Sequence, residues 1–486
     1  QFKYARLNMF STNAAQLTKI QANSASIAGG GIYLSPYHNS VDGGTDTDAY
    51  FWNSSIVENV APEASALYLG SYTTTLMNNT YSLVRFNYGA APSGAVGCGV
   101  DSNCGSISGN VSSSGRVIYG ETRNVLSLYR MEVANNQGSE LIRLEFVDLY
   151  HSLFFGNVST LRLIESNRLN MAGATFAGNM IGGAQVLGIN TNGFTSIDDT
   201  IIWQPGKLAL HNDGSAPHVL DVLSNDISTL TGSGSARLAV AEPRFVDPAH
   251  SDFSLTAASP AVDFAPAMAG DDPDLIGHNR DVDLALVDNN YGPRDLGALE
   301  RQTVQPLVLN STFNANLNIW PEVTAGISTW DSTQNAPGTT AGGALHVLTT
   351  GSSLSARKQC VHLPGPGTYT LNGWGKSTGT FTPGSYVSLG WEYRSAGSET
   401  CTGTVTTSGK LLLATSSTWN RPATPATINV SNFAWTTDSS ILVYLIVEDG
   451  PGSGVAPEAP TATLNGWFDA ITLDVLSDRI FANQFD

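Results

Sequence analysis

The sequence predicts an all-β chain in which a right-handed parallel β-helix solenoid is followed by an antiparallel, jelly-roll-like β-sandwich. Three observations predict it. Asn135, Asn157 and Asn179 stand 22 residues apart twice over, and a fixed period in the twenties marks a solenoid. Within that period short alternating apolar runs, such as Leu141-Ile142-Arg143-Leu144 and Leu161-Arg162-Leu163-Ile164, are broken by Asn-Asn or Gly-Asn, with no helical spacing of three and four. Beyond about residue 306 the strands lengthen and alternate, as in Tyr386-Val387-Ser388-Leu389-Gly390-Trp391, with turns between them.

The period also sets apolar columns. Val125, Val147 and Leu169 align, as do Val133, Phe155 and Ala177, and then Ile142, Ile164 and Val186. The recurring Asn is expected at a tight corner with a left-handed backbone, where stacked amide side chains can bond one another. That is a structural role, not a chemical one.

Bulk properties bound the rest. At 486 residues the chain holds two or three domains. With 49 Gly and only 13% charged residues it has the composition of an extracellular all-β protein. A net charge of -18 with only 23 basic residues argues against nucleic acid and against an anionic membrane surface. No apolar run is long enough for a transmembrane segment. The chain opens at Gln1 in what already reads as a strand, which is expected of a processed or truncated form. Four cysteines fall as two pairs, Cys98 with Cys104 and Cys360 with Cys401, without metal-binding spacing, so two disulfides and an oxidising compartment are expected.

Taken in order, residues 1–302 form the solenoid. Polar loops at 36–50 and 88–115 project from its early coils, and regular coils run from about 116 to 210. Then comes a motif series: Phe245-Val246-Asp247-Pro248, Asp252-Phe253-Ser254-Leu255, Ser259-Pro260-Ala261-Val262-Asp263 and Asp295-Leu296-Gly297-Ala298-Leu299-Glu300. It resembles the final coil of the pectate-lyase-like β-helix of bacterial secreted and surface proteins. That resemblance implies architecture and a secreted, extracellular or cell-surface setting, and little chemistry. Acidic residues interrupt the series. Asp281, Asp283 and Asp288 suit a structural calcium ion, and a solvated acidic loop is the competing reading.

Residues 303–306 read as a linker and 307–476 as the sandwich. Its opening, Asn310-Ser311-Thr312-Phe313 with Trp320, and its close, Phe468-Asp469-Ala470-Ile471-Thr472-Leu473, resemble jelly-roll carbohydrate-binding modules. Residues 477–486 form a tail that resembles those closing many secreted bacterial proteins, with Gln484 and Asp486 departing from the usual Gly and Glu.

Familiar chemistries are missing. Of the polygalacturonase-like set only Asp198-Asp199 is present, and no G-x-S-x-G or H-E-x-x-H occurs. Glu145, Asp148 and His151 lie close in sequence, but one period on the positions hold Asn167, Asn170 and Gly173. Arg143 falls one period from Glu165 and is expected to pair with it. Binding has a better candidate: Trp374 alternates onto a polar face with Asn372 and Lys376, as a sugar platform requires. Trp391 and Tyr393, alternating with Val387 and Leu389, belong to the core. The expected partner is therefore a polysaccharide or cell-surface glycan, with no cofactor beyond the calcium alternative.

The function these features point to is a non-catalytic extracellular protein acting in adhesion, glycan binding or self-assembly, the last by head-to-tail pairing of an open coil at Gln1. A polysaccharide lyase or glycoside hydrolase acting on an acidic polysaccharide is the alternative.

Overall fold

This computed structural model describes the chain apart from residues 1–3, 11–17, 35–37, 40–42, 45, 53, 70–81, 88–104, 121–123, 233, 269–272, 285–286, 325–326, 340–341, 351–356, 380–384, 396–400, 414, 432–433, 449–462 and 477–486. The expected Cys98–Cys104 disulfide, the chain start at Gln1 and the tail at 477–486 lie outside the described residues. The chain divides into two compact units, one of Gln1–Leu255, Ser259–Asp283 and Asn289–Gln302, the other of Thr256–Ala258, Leu284–Asp288 and Thr303–Asp486. Both are built of β-strands, and among the described residues the only helical element is the short 3-10 turn Pro248–His250.

The first unit is a parallel solenoid with three stacked faces. One face runs from Tyr4–Phe10 through Asp46–Trp52, Ser82–Asn87 and Val125–Tyr129 into the later halves of Gln137–Tyr150, Val158–Ala172 and Gln185–Trp203, and then His218–Ser224. Its inward columns are apolar: Leu128, Leu149, Met171, Ile197 and Val219 stack in register and are buried. A second column passes from Ile118 through Ile142 and Ile164 to Leu187 and Leu210. Each coil shields the apolar face of the next, so burial accumulates along the stack.

The strict period slips by one residue in places. Val147 does pair with Leu169, and Ile142 with Ile164, but Leu126 and not Val125 pairs with Val147. Likewise Val133 pairs with Phe154, and Ile164 with Leu187. Coil length is not constant, since the Asn ladder steps 21 residues from Asn136 to Asn157 and 22 from Asn157 to Asn179.

That ladder corrects the sequence reading. Its members are Asn23, Asn59, Asn110, Asn136, Asn157 and Asn179, so Asn136 and not Asn135 belongs to it. From Asn23 to Asn157 each Nδ2 donates to the Oδ1 of the next coil's Asn, at 2.8–3.0 Å. From Asn59 onward each Nδ2 also donates to a buried carbonyl, those of Ile20, Ile56, Ile107, Val133 and Phe154. The left-handed corner falls one residue earlier, at Ala22, Glu58, Gly109, Asn135, Gly156 and Gly178, with φ between 56° and 65°. Backbone and side-chain roles are split between neighbours: one residue turns the chain and the next fills the corner with an amide.

A second left-handed column, Arg130, His151, Gly173, Asp199, Asp221 and Arg237, marks another corner. The terminal segment of this unit packs on it. Arg280 donates to His151 Nδ1 at 3.0 Å, to the Gly297 carbonyl and to the Asp295 carbonyl, while Arg294 bonds Asp199 and Asp281. A Cβ on Gly173 would come within 2.5 Å of the Arg280 guanidinium, so this corner has no room for a larger residue.

The carboxylates of the terminal motifs act as turn caps. Asp295 accepts from the backbone N–H groups of Asp263 and Arg301, Glu300 from those of Val282 and Asp295, and Asp274 from those of Ile276, His278 and Glu300.

The second unit carries two antiparallel sheets. One orders its strands Ser328–Asp331, Ala344–Thr350, Thr463–Leu476, Gly367–Gly379 and Ala426–Val430, the other Arg357–His362, Ser440–Glu448, Tyr386–Arg394 and Thr407–Leu413. Trp320, Tyr369, Leu371, Leu389, Tyr393, Val443 and Phe468 are buried in its core, with Trp391 packed against it. The two end motifs meet, because the Ile471 N–H donates to the Ser311 carbonyl at 3.1 Å and Phe313 packs on Trp320. A disulfide joins Cys360 to Cys401.

Candidate glycan-binding site

Alternation along Gly367–Gly379 buries Tyr369, Leu371, Gly373, Gly375 and Ser377 and turns Thr370, Asn372, Trp374, Lys376 and Thr378 to the outer side of the five-stranded sheet. The strand register then sets their neighbours. Thr329 lies opposite His346, His346 opposite Trp467, and Trp467 opposite Lys376. Beyond Lys376 the segment around Asn420 pairs with Gly375 by two backbone hydrogen bonds of 2.9 Å, which brings Trp419 to the end of the same row. Five side chains from five neighbouring segments thus form one transverse row.

The row is held internally. His346 and Trp467 stack with centroids 4.7 Å apart and planes 20° apart. The Lys376 ammonium lies 4.8 Å from the Trp467 ring and 5.2 Å from the Trp419 ring, and donates to Gln334 Oε1. Trp467 Nε1 donates to Asp331 Oδ2 at 2.9 Å. His346 Nε2 is 2.9 Å from Asn465 Oδ1, an acceptor, and so donates to it, while Nδ1 lies 3.3 Å from the Thr329 hydroxyl. Partial burial lowers the Lys376 pKa, against the opposing pull of Asp331. At Asp331 partial burial pushes upward, but hydrogen bonds from Thr333 and Trp467 prevail and hold the carboxyl below its usual value.

Of the three residues expected from sequence, Trp374 and Lys376 do share the outer face, and Trp374 is half-buried one step along from the row. Asn372 is occupied with structure, its Nδ2 donating to the Pro422 carbonyl at 3.1 Å. His346, Trp467, Trp419, Asp331 and Gln334 escaped the sequence reading because they lie on other segments and meet only through the sheet register. The available signal was Trp467, which alternates with the core residues Gly466 and Phe468.

The calcium alternative meets different surroundings. Asp281 bonds Arg294 at 2.8 Å, Asp283 is exposed, and Asp288 belongs to the second unit. Among the described residues no three His, Cys, Asp or Glu side chains gather as metal donors. Glu145, Asp148 and His151 do not converge either, because His151 is buried at its corner. There burial and the Arg280, Arg294 and Arg130 charges hold its pKa well below the ordinary value, leaving a neutral ring.

The solenoid has a polar strip of its own. Ser127, Asp148, Asn170, Ser196 and His218 follow one another on successive coils. Asp148 accepts from Asn170 at 2.9 Å. Tyr150 and Phe194 are exposed beside the strip. Asp198, at its edge, has its pKa raised by burial and by Asp199, and its Oδ1 is buried without a bonding partner. On another face Arg143 pairs with Glu165 at 3.4 Å, as expected, within a chain of ion pairs from Glu63 through Arg116, Glu140 and Arg143 to Arg162.

No family model matches the sequence and no curated protein matches it. Solved structures align over about a third of the chain. TmCBM61 in complex with β-1,4-galactotriose is 15% identical, covers 35% of this chain and 99% of its own, and gives a TM-score of 0.24. The CBM22-2 xylan-binding domain of Xyn10C from Paenibacillus barcinonensis is 14% identical over 34% of this chain and 98% of its own, with a TM-score of 0.24. A CBM4 structure is 14% identical over 33% and 96%, with a TM-score of 0.20. Likenesses at this level carry no ligand assignment.

Proposed function

We propose that this is a glycan-binding protein of an extracellular setting, and that its binding surface is the outer face of the five-stranded sheet. The row of Thr329, His346, Trp467, Lys376 and Trp419, with Trp374 beside it, carries this reading. Sugars present hydroxyls together with patches of C–H, and a surface that mixes indole with neutral donors and acceptors suits both. The Cys360–Cys401 disulfide supports an oxidising compartment. The test is affinity electrophoresis of the full chain through gels containing soluble polysaccharides. Retardation by at least one, weakened about tenfold or more in Trp419→Ala and Trp374→Ala, is expected. Equal mobility in every gel sinks the reading.

A second reading, a polysaccharide-cleaving activity, rests on the solenoid strip. Asp148 and Asp198 lie two coil steps apart and two residues apart along the strand, roughly 12 Å between backbones at ~4.8 Å per step and ~3.3 Å per residue, and Asp198 keeps a buried, unpartnered oxygen. Side chains that lean together to bring the carboxyl groups within about 6.5–9.5 Å would suit acid–base cleavage with an inserted water. New reducing ends or unsaturated products from an acidic polysaccharide, lost in Asp198→Asn, are the expected result, and none from the wild type ends this reading.

A further inference from the structure

We propose that the outer-face row takes an uncharged glycan, and that Lys376 serves there as a positioning residue for Trp419 and not as a receptor for anions. The inference rests on the glycan-binding reading above and names its ligand class.

The ammonium of the row is matched: Lys376 is countered by Asp331, and toward the far end of the face Arg421 donates to the Thr472 hydroxyl. Asp469, in the same strand as Trp467, is buried and accepts from the Ala336 and Ala470 N–H groups. Among the described residues of the row no cation is left to receive a carboxylate or sulfate.

The one ammonium is already committed. It faces two indole rings at 4.8 and 5.2 Å and donates to Gln334, so an anion would have to draw it off both π faces. Asp331 stays ionised through its bonds from Thr333 and Trp467, and would repel an acidic sugar. The net charge of -18 acts in the same direction. What the row offers outward is a hydroxyl, an imidazole, an amide and indole edges, from Thr329, His346, Asn465 and the two tryptophans.

The positioning role follows from where Trp419 sits. Its segment docks on the Gly367–Gly379 strand by backbone bonds at Gly375 and Ser377 and by the Asn372 amide. These hold the chain, and the Lys376 ammonium holds the ring. A cation–π contact of about 0.5–2 kcal/mol corresponds to roughly 3- to 30-fold in an equilibrium.

The experiment measures binding of the full chain to soluble xylan, galactan and β-glucan, and to polygalacturonate, at low and high salt. Wild type, Lys376→Met and Lys376→Arg are compared, with thermal unfolding to verify that each folds. The expected result is retention of a neutral polysaccharide with little salt dependence, weakened roughly 3- to 30-fold in Lys376→Met and restored in Lys376→Arg, which keeps a cation between the indoles. Neutral binding unchanged in Lys376→Met overturns the positioning role. Preference for polygalacturonate that fades with salt overturns the inference while leaving glycan binding intact. Retention by no polysaccharide overturns the underlying reading instead.

Discussion

The two units handle polar side chains in opposite ways. In the solenoid the amides and carboxylates are buried and bonded to backbone, Asn157 to the Val133 carbonyl and Asp295 to two N–H groups. In the sandwich the polar groups of the row bond mainly to one another on an outer face, as Trp467 does to Asp331 and His346 to Asn465. A buried amide is a fold determinant, because nothing but the coil can satisfy it. A surface row satisfied by side chains is rearrangeable, and is where recognition can develop.

The sharpest way to break this contrast is to remove one group of each kind. Asn157→Ala strips two donors of Asn136 of their acceptor and leaves the Val133 and Asn179 acceptors short. A loss of about 3–5 kcal/mol is expected from chemical unfolding of the solenoid. Asn23→Ala, at the exposed end of the ladder, is expected to cost under ~1 kcal/mol. Equal losses at both positions contradict a cooperative ladder.

Next in size is a pH effect confined to the solenoid. Burial pushes the Glu132 carboxyl up to about 8, from an ordinary 4.5. Its folded pKa is raised, so its contribution is fully present below about 4.5 and is lost progressively as pH rises to about 8. The solenoid's unfolding midpoint should fall over that window, and Glu132→Gln should flatten the fall. An unchanged slope shows that the side chain is solvated in the fold.

In the sandwich, Trp467→Phe keeps the stacking on His346 and removes the bond to Asp331. About 1 kcal/mol is expected, with a larger effect on polysaccharide retention than on stability. The smallest effect belongs to Arg143→Met. Its side chain is 39% exposed, and loss of its pairs with Glu140 and Glu165 should change stability by under ~1 kcal/mol, less at high salt.

The same contrast explains what the sequence disclosed. Columns such as Ile142 with Ile164, and the Arg143–Glu165 pair, were legible because a solenoid brings residues one period apart into contact. The ladder was misassigned at Asn135 because a coil of 21 residues precedes one of 22 there, and Asn-Asn leaves the choice open until Gly156-Asn157 and Gly178-Asn179 show that the corner precedes the amide. Within the sandwich, alternation along one strand correctly turned Trp374 and Lys376 outward. It could not name His346 or Trp419, since their meeting depends on the order and register of strands more than 70 residues apart in sequence, as between Lys376 and Trp467. Asp281 shows the converse. Its spacing suits a ligand for calcium, and the fold adds what spacing cannot show, a bond to Arg294 13 residues away.

The Asn ladder also makes length a variable independent of stability. Each inner rung, from Asn59 to Asn157, makes the same two kinds of bond, to the following amide and to a carbonyl of the preceding coil. A coil inserted or deleted whole, from one ladder Asn to the next, restores each of them on closure. The column has steps of 36, 51, 26, 21 and 22 residues, so it tolerates loops of very different size between rungs without losing its continuity. Such a chain can grow, shrink or acquire projecting loops by single genetic events while its interior stays unaware of the change.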